Sequence, residues 1–125
     1  MSSDYLTLED ILFMHSDLIE RFGGSKGVRD PGLLEAAIFR PQTGYYPDVI
    51  AEAAALWESL SQTHPFGDGN KRAAFAACYV FLEINGAALT ATNAEAERFI
   101  LNLYDAGAFT FENLEAWLRE NTARG

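Results

Sequence analysis

The sequence predicts an all-α fold, a single-domain bundle of about six helices around a buried central helix. Hydrophobic residues recur at helical spacing in several segments, as Ile11, Leu18 and Ile19 do near the N-terminus. Thr and Asp residues that can cap a helix precede these segments. The ten residues from Ala73 to Leu82 are apolar without interruption, as expected of a helix buried on all sides. We expect residues 1–125 to form one domain, since this length suffices for a core.

The first two helices are predicted from residues at their ends. Thr7 can cap a first helix that runs to about residue 22, and Gly23–Gly24 then ends it. Asp30 is followed by a proline, which is typical of a helix start, so the second helix is predicted over about 31–39.

The third and fourth helices flank one short loop. Arg40–Pro47 contains prolines and a glycine and breaks the helical pattern, after which Asp48 can cap a helix to about Gln62. The fourth helix carries the long apolar run to about Ile84 and is expected to be the central one. Because a short loop joins these two helices, we expect them to pack antiparallel with that loop at their shared end.

The last two helices also have recognisable starts. Thr92 with Glu95 three residues later matches a capping box for a fifth helix to about Asp105. Thr110 is predicted to start a sixth helix with an apolar inner face. The tail over 120–125 is expected to fray.

Composition excludes several classes of function. The formal charge of −9 argues against general nucleic-acid binding, because neutralising phosphates requires a basic surface. Cys78 is the only cysteine, which fits a reducing compartment. No basic-then-apolar leader begins the chain, and the longest apolar run is about half the length of a membrane span. We therefore expect a cytoplasmic protein that binds neither membranes nor nucleic acid directly.

The most informative stretch is His64–Arg72, which reads His-Pro-Phe-Gly-Asp-Gly-Asn-Lys-Arg. Lys71 and Arg72 fall in the first turn of the fourth helix, where the helix dipole already places positive charge. Two cations are stabilising there if an anion binds the free backbone N–H groups of the helix start. We interpret that anion as a nucleotide phosphate. The alternative is that Gly67–Gly69 is an ordinary turn, Asn70 caps the helix and both cations point into solvent.

Two side chains of this motif are suited to catalysis. His64 can accept a proton from a hydroxyl group near neutral pH. Asp68 is the only carboxylate of the loop and can bind Mg²⁺ beside phosphates. The alternatives are a helix-terminal histidine without a catalytic role and an aspartate that caps the fourth helix. With the cations, these groups fit transfer of a phosphorus-containing group from a nucleotide to a hydroxyl.

The remaining polar part of the motif is suited to hold phosphates. Gly67 and Gly69 let the backbone approach a ligand closely. Asn70 can fix the loop or donate to a phosphate oxygen, and the sequence leaves both open. Lys71 supplies a point charge and Arg72 a bidentate fork.

Three further residues are assigned structural roles. Pro65 is expected to end the third helix and Phe66 to anchor the loop in the core. His15 is predicted to be a helix-face residue, because neither histidine has partners at zinc-ligand spacing. The motif is neither a P-loop nor a dinucleotide site, since no strand precedes it and the required glycines are missing.

The motif resembles the signature of the Fic/Doc family, His-x-Phe-x-Asp/Glu-Gly/Ala-Asn-Gly/Lys-Arg, and every signature position matches. Segments 23–32 and 81–86 resemble the Doc (death on curing) toxin branch. Adenylylating Fic proteins usually carry glycine at the position of Lys71 and a second arginine at that of Phe75. The resemblance extends over most of the chain and implies the helical Fic/Doc fold.

On this resemblance the protein would be a toxin kinase of a toxin–antitoxin system. Doc transfers the γ-phosphate of ATP to a threonine of translation elongation factor Tu, which arrests translation. By analogy His64 would be the base and Asp68 the Mg²⁺ ligand. Gly69, Asn70, Lys71 and Arg72 would hold phosphates. Two alternatives remain, a Fic-type adenylyltransferase and a catalytically silent module that binds nucleotide or antitoxin.

The resemblance also implies two protein contacts. Self-restrained Fic proteins carry an inhibitory helix, Ser/Thr-x-x-x-Glu-Gly/Asn, and this chain has only near misses at Ser16–Arg21 and Ala116–Asn121. Inhibition by a separate antitoxin is therefore expected. The segment 40–47 matches a flap that docks the target chain in relatives. Tyr45 and Tyr46 are candidates for that docking, with ordinary loop packing as the alternative.

Overall fold

The computed structural model describes residues 3–124 and is mostly helical. The predicted all-α class with six α-helices is confirmed. No helix within this described part is long and apolar enough to cross a membrane. In chain order the elements are α1 Leu8–Phe22, α2 Pro31–Phe39, a 3₁₀ helix Arg40–Gln42, α3 Val49–Gln62, α4 Asn70–Ile84, β1 Ala87–Leu89, α5 Asn93–Asp105, α6 Phe111–Glu120 and β2 Thr122–Arg124.

The predicted caps begin five of the helices. At α1 the Thr7 hydroxyl accepts from the N–H of Asp10, whose carboxylate accepts from the N–H of Thr7 in return. Thr92 and Glu95 form the same reciprocal pair at α5. Each cap satisfies backbone donors that the helix itself leaves unpaired. The helices α2, α3 and α6 begin at Asp30, Asp48 and Thr110.

The bundle surrounds a buried helix as predicted, but that helix is α3 rather than α4. Twelve of the 14 residues of α3 are buried, against six of 15 in α4. The expectation for α4 was wrong because Tyr79 and Ile84 of its apolar sequence are exposed. The alanines of α3 let α2, α4 and α6 pack closely around it, and Trp57 on α3 fills the centre.

The C-terminal tail is ordered against the rest of the domain. β2 pairs antiparallel with β1, with Ala88 opposite Ala123. The N–H of Thr90 also donates to the carbonyl of Asn121 at 2.7 Å. The expectation that the tail frays was therefore wrong for residues 122–124, whose backbone groups find partners across the sheet. Residue 125, the last of that tail, lies outside the described residues.

The packing of α3 on α4 positions the functional motif. These two helices form the most extensive helix pair among the described residues, and the loop 63–69 joins them. The short connection makes them antiparallel and places the loop at their shared end, as predicted. Residues of the motif are thereby held on a rigid pair of helices.

Candidate active site

His64 has a backbone conformation unusual for its type. Its φ is +50°, which makes it the one non-glycine residue with positive φ in the described chain. Such a conformation costs about 1–3 kcal/mol and persists only where the surroundings impose it. Pro65 disfavours helix at His64, and the Arg29 guanidinium holds the carbonyl oxygens of Thr63 and His64 at 2.9 and 2.7 Å. The main chain of His64 is thereby fixed, while its imidazole is exposed.

The motif loop is also paired along its backbone with the segment that follows α1. Val28 and Phe66 form an isolated antiparallel bridge. The N–H of Gly67 donates to the carbonyl of Gly27 at 3.2 Å, and the carbonyl of Pro65 accepts from Arg29 at 2.8 Å. Segment 27–30 therefore supports the motif loop through backbone hydrogen bonds, although the two segments are far apart in sequence.

His15 lies directly beneath the motif loop. Its ring is buried and stacks on that of Phe66, with centroids 3.7 Å apart and an interplanar angle of 4°. Its Nε2 lies 2.7 Å from the carbonyl oxygen of Asp68, to which it donates a hydrogen bond. Phe66 anchors the loop in the core as predicted. The contact of His15 with the loop was missed, although its spacing of four residues from Ile11 and Ile19 places it on the inward face.

The Asp68 carboxylate is oriented by backbone groups. Oδ2 accepts from the N–H of Ser25 at 3.2 Å, and Oδ1 accepts from the N–H of Gly69 at 2.9 Å. Neither bond reaches the second or third residue of α4, so Asp68 does not cap that helix in the usual way. A Cβ on Gly24 would lie only 2.7 Å from Oδ2, so a larger residue there would displace the carboxylate. The carboxylate remains exposed at the mouth of the loop.

The start of α4 differs from the starts of the other five α-helices because no side chain in residues 3–124 caps it. Gly69 is the N-cap residue, with a left-handed φ of +73°. Asn70 is not the cap that the alternative reading required, since its amide bonds both backbone groups of Phe66, at 2.9 and 3.1 Å. The amide therefore fixes the loop. The first N–H groups of α4 are left to a ligand or to water.

Lys71 and Arg72 contact aromatic rings instead of carboxylates. The Nζ of Lys71 lies 4.1 Å from the centroid of the Tyr104 ring, and the Cζ of Arg72 lies 4.7 Å from that of Phe22. Neither cation forms a salt bridge with any residue in the 3–124 range. Burial raises the pKa of the Tyr104 hydroxyl, and its hydrogen bond with Ser61 partly offsets this. The ring therefore stays neutral beneath Lys71.

All the predicted catalytic, phosphate-binding and metal-binding residues line one cavity of about 410 Å³. That volume is in the usual range for a small-molecule site. Within residues 3–124 no cluster of three or more His, Cys, Asp or Glu side chains could hold a metal by itself. A lone carboxylate still suits Mg²⁺, which takes most of its ligands from phosphates and water. The lining is formed by His64, Gly67, Asp68, Gly69, Asn70, Lys71 and Arg72.

A model of the Fic/DOC family matches residues 5–82, which include α1 to most of α4 and the whole cavity lining. The chain belongs to the Fic/DOC family. A Toxin Doc of Mycolicibacterium smegmatis is 49% identical over 94 residues, which cover 71% of this chain and 70% of that protein. A protein of Escherichia phage P1 named Protein kinase doc is 33% identical over 86 residues, covering 66% of this chain and 68% of the phage protein.

Segment 40–47 holds the two tyrosines in different surroundings. The Tyr46 hydroxyl accepts from Nε of Arg40 at 2.7 Å, and its ring packs on Phe111 at 5.5 Å. Tyr45 is 82% exposed and touches Tyr46 edge-on at 5.1 Å. Neither tyrosine lines the cavity. Tyr46 thus packs within the domain and Tyr45 is presented to solvent, while docking of a target chain stays a prediction.

Proposed function

We propose that this protein is the toxin of a toxin–antitoxin pair and acts as a protein kinase in the cytoplasm. Its reaction would transfer the γ-phosphate of ATP to a threonine of translation elongation factor Tu and thereby arrest translation. The supporting observation is the cavity lined by His64, Asp68, Lys71 and Arg72, whose two cations form no salt bridge within residues 3–124. Membership of the Fic/DOC family and the names of the two relatives, a toxin and a protein kinase, support the same function.

In the proposed reaction, His64 acts as the general base. The target hydroxyl oxygen attacks the γ-phosphorus while the imidazole of His64 takes the hydroxyl proton. The bond between the γ-phosphorus and the bridging oxygen of the β-phosphate breaks, and ADP leaves with that oxygen. The exposed position of His64 suits this role, because the base has to reach a hydroxyl on another protein.

The uncapped start of α4 would hold the phosphates. Asn70, Lys71 and Arg72 of its uncapped first turn all line the cavity, so backbone N–H groups and two cationic side chains are available there for phosphates. In phosphoryl transfer the protein contributes mostly positioning and charge stabilisation, which this arrangement supplies. Asp68 would hold Mg²⁺, which when bound neutralises part of the phosphate charge.

Two positions favour phosphoryl transfer over adenylyl transfer. Lys71 stands where adenylylating relatives usually carry glycine, and it adds a charge to the helix start. Phe75 stands where they carry a second arginine, and its ring packs on Trp57 at a centroid distance of 5.3 Å. The side chain one turn beyond Lys71 is therefore apolar. The positive charge available to bind phosphates is concentrated at the first turn of α4.

The protein partner expected beside the target is a cognate antitoxin. The two near-miss inhibitory sequences lie in α1 and at the end of α6, and each lacks one required residue. A separate chain would then supply inhibition. Co-expression with a small neighbouring reading frame that restores growth would support this partner, whereas a toxin that no neighbouring protein neutralises would contradict it.

The deciding experiment is transfer of labelled nucleotide. The purified protein is incubated with elongation factor Tu, Mg²⁺ and ATP that carries label at either the α or the γ position. We expect label on the factor only from the γ position, and a threonine as the modified residue. Label transferred only from the α position would replace phosphorylation by adenylylation.

A silent binding module is separated from an enzyme by expression in cells. Expression of the parent is expected to arrest growth, and His64→Ala is expected to abolish the arrest, because the variant lacks the base but retains the cavity. Equal arrest by both proteins would mean that binding, rather than catalysis, stops growth.

A further inference from the structure

The two motif cations contact aromatic rings and form no salt bridge within residues 3–124. The chain has 18 acidic and nine basic residues, so acidic partners are in excess. Within residues 3–124 the salt bridges use Arg21, Lys26, Arg40 and Arg119. Lys71 and Arg72 instead lie over the rings of Tyr104 and Phe22.

The Tyr104 ring is fixed by contacts that do not involve Lys71. Tyr104 lies on α5, outside the motif and outside the segment that the family model matches. Phe109 stacks on its ring with centroids 4.6 Å apart and an interplanar angle of 18°. Its hydroxyl is hydrogen-bonded to the hydroxyl of the buried Ser61 on α3. A ring held by a stacking partner and by its hydroxyl can define the place of the ammonium above it.

Arg72 contacts the ring of Phe22 as Lys71 contacts that of Tyr104, but this ring belongs to α1. Phe22 is the last residue of α1 and is 59% exposed, so core packing alone does not explain its position. The guanidinium lies 4.7 Å from the ring centroid, within the range of a cation–π contact. The cations of one helix start are thus each held by an aromatic residue of a different helix.

We infer that Tyr104 and Phe22 are positioning residues that fix the side chains of Lys71 and Arg72 at the start of α4 without neutralising their charge. A carboxylate in either place would fix the side chain but would compete with a phosphate for it. An aromatic face attracts a cation through its quadrupole and carries no net charge. Neither ring therefore competes with an anion for the cation that it contacts. The inference rests on the proposed nucleotide site and adds residues that determine its affinity.

The test separates the ring of Tyr104 from its hydroxyl. Tyr104→Phe keeps the ring and loses the bond to Ser61, whereas Tyr104→Leu loses both. Affinity for a non-hydrolysable ATP analogue with Mg²⁺ is measured by calorimetry, and the melting temperature of each variant is measured in parallel. We expect Tyr104→Phe to be less stable but to bind as the parent does, and Tyr104→Leu to bind roughly three- to tenfold more weakly.

A double-mutant cycle with Lys71→Met identifies the route of the effect. If Tyr104 acts through Lys71, Tyr104→Leu should not weaken binding further once the ammonium is absent. An equal loss with and without Lys71, or unchanged affinity in a folded Tyr104→Leu protein, would overturn the inference. For Phe22→Leu the matched control is Phe13→Leu, which removes an exposed aromatic ring from the same helix. Only Phe22→Leu is expected to weaken binding.

A second measurement does not depend on the proposed nucleotide. The methylene next to Nζ of Lys71 should show an upfield ring-current shift by carbon–proton NMR in the parent and in Tyr104→Phe, and lose it in Tyr104→Leu. No shift in the folded parent would overturn the inference even if nucleotide binds. If the shift is present but the analogue does not bind to the parent, the contact between the ring and Lys71 is supported. The proposed nucleotide site, and with it the proposed function, is then contradicted.

Discussion

The Asp68 carboxylate occupies space that is free because residue 24 is glycine. Gly24 has φ of +116°, and a Cβ there would lie 2.7 Å from Oδ2 of Asp68. We expect Gly24→Ala to displace the carboxylate and to weaken Mg²⁺-dependent nucleotide binding by roughly tenfold, the effect of about 1.4 kcal/mol. Calorimetry with and without Mg²⁺ measures it.

Gly27→Ala is the matched control for this substitution. Gly27 has nearly the same φ, +118°, but nothing lies within 4 Å of an added Cβ. Both variants therefore carry similar backbone strain, and only Gly24→Ala crowds Asp68. Equal weakening of nucleotide binding by the two variants would show that strain in the loop, rather than the position of the carboxylate, determines affinity.

Asp68 itself is expected to be dispensable for folding. Its exposed carboxylate bonds only two backbone N–H groups of loops, and its main-chain carbonyl bond to His15 remains in any variant. Asp68→Ala should abolish the Mg²⁺ dependence of nucleotide binding and leave the far-ultraviolet circular dichroism unchanged. Loss of the helical signal would mean that the side chain is mainly structural.

At this scale the sequence predicts the residues with the chemistry and misses those that support them. His64, Asp68, Lys71 and Arg72 are recognisable because nine consecutive residues concentrate a base, a carboxylate and two cations at a helix start. His15, Arg29 and Tyr104 come from distant segments, so no local pattern links them to the motif. Of these three, only His15 could have been recognised from the sequence, because it lies in the apolar stripe of α1.

At the level of elements, Asp48 joins the start of α3 to α6. Its Oδ1 accepts from the N–H of Ala51 at 3.0 Å, and the Arg119 guanidinium donates to both of its oxygens, at 3.0 and 3.2 Å. Burial alone would raise the pKa of Asp48. The hydrogen bonds from Arg119 and from the N–H of Ala51 outweigh burial and hold this pKa below its ordinary value of 3.8.

The stability contributed by this carboxylate depends on pH in a defined direction. Because the folded-state pKa is lowered, the contribution is fully present above the ordinary value of 3.8 and is lost as the pH falls below it toward the folded-state value. Asp48→Asn keeps a capping oxygen and loses the ion pair, so we expect it to lower the free energy of unfolding at pH 7 by about 0.2–1 kcal/mol.

Urea unfolding at several pH values measures this prediction. The difference between the parent and Asp48→Asn should shrink as the acid form of Asp48 becomes populated. Asp48→Ala is the companion variant, and it should cost about 0.5–2 kcal/mol more because the cap is also lost. A difference between parent and Asp48→Asn that grows toward acid pH would contradict the assigned role of the ion pair.

Helices were predictable because their signals are local, and the strands were not. Caps such as Thr7 and Thr92 specify a helix start within four residues of sequence. β1 and β2 contain three residues each and pair with one another, although α5 and α6 lie between them in the sequence. Such short strands carry no usable alternation, and their partners are far apart in sequence.

At the scale of the whole molecule, Cys78 reports on global unfolding. The thiol is completely buried in the core, and burial raises its pKa well above the ordinary range. Since the thiolate is the reactive form, labelling requires the core to open. We expect a maleimide to react with the native protein at least about a thousandfold more slowly than with the unfolded chain. Rapid labelling of the native protein would contradict this packing.

The arrangement of the core shows why burial was harder to predict than helix type. The apolar run of α4 and the alanine-rich sequence of α3 both indicate a buried helix. Burial is decided by the neighbouring elements: α3 packs against α2, the 3₁₀ helix, α4 and α6, whereas α4 packs against α1, α3 and the short strand β1. Small side chains permit that close packing, whereas the larger residues of α4 include some that reach the surface.

The central claim is that the first turn of α4 binds the phosphates of a nucleotide. A crystal structure of the protein with Mg²⁺ and a non-hydrolysable ATP analogue tests it most directly. We expect the phosphates at the first turn of α4, in contact with Lys71 and Arg72, and the metal beside Asp68. A nucleotide bound elsewhere, or a carboxylate of the protein occupying that position while nucleotide is present, would contradict the account.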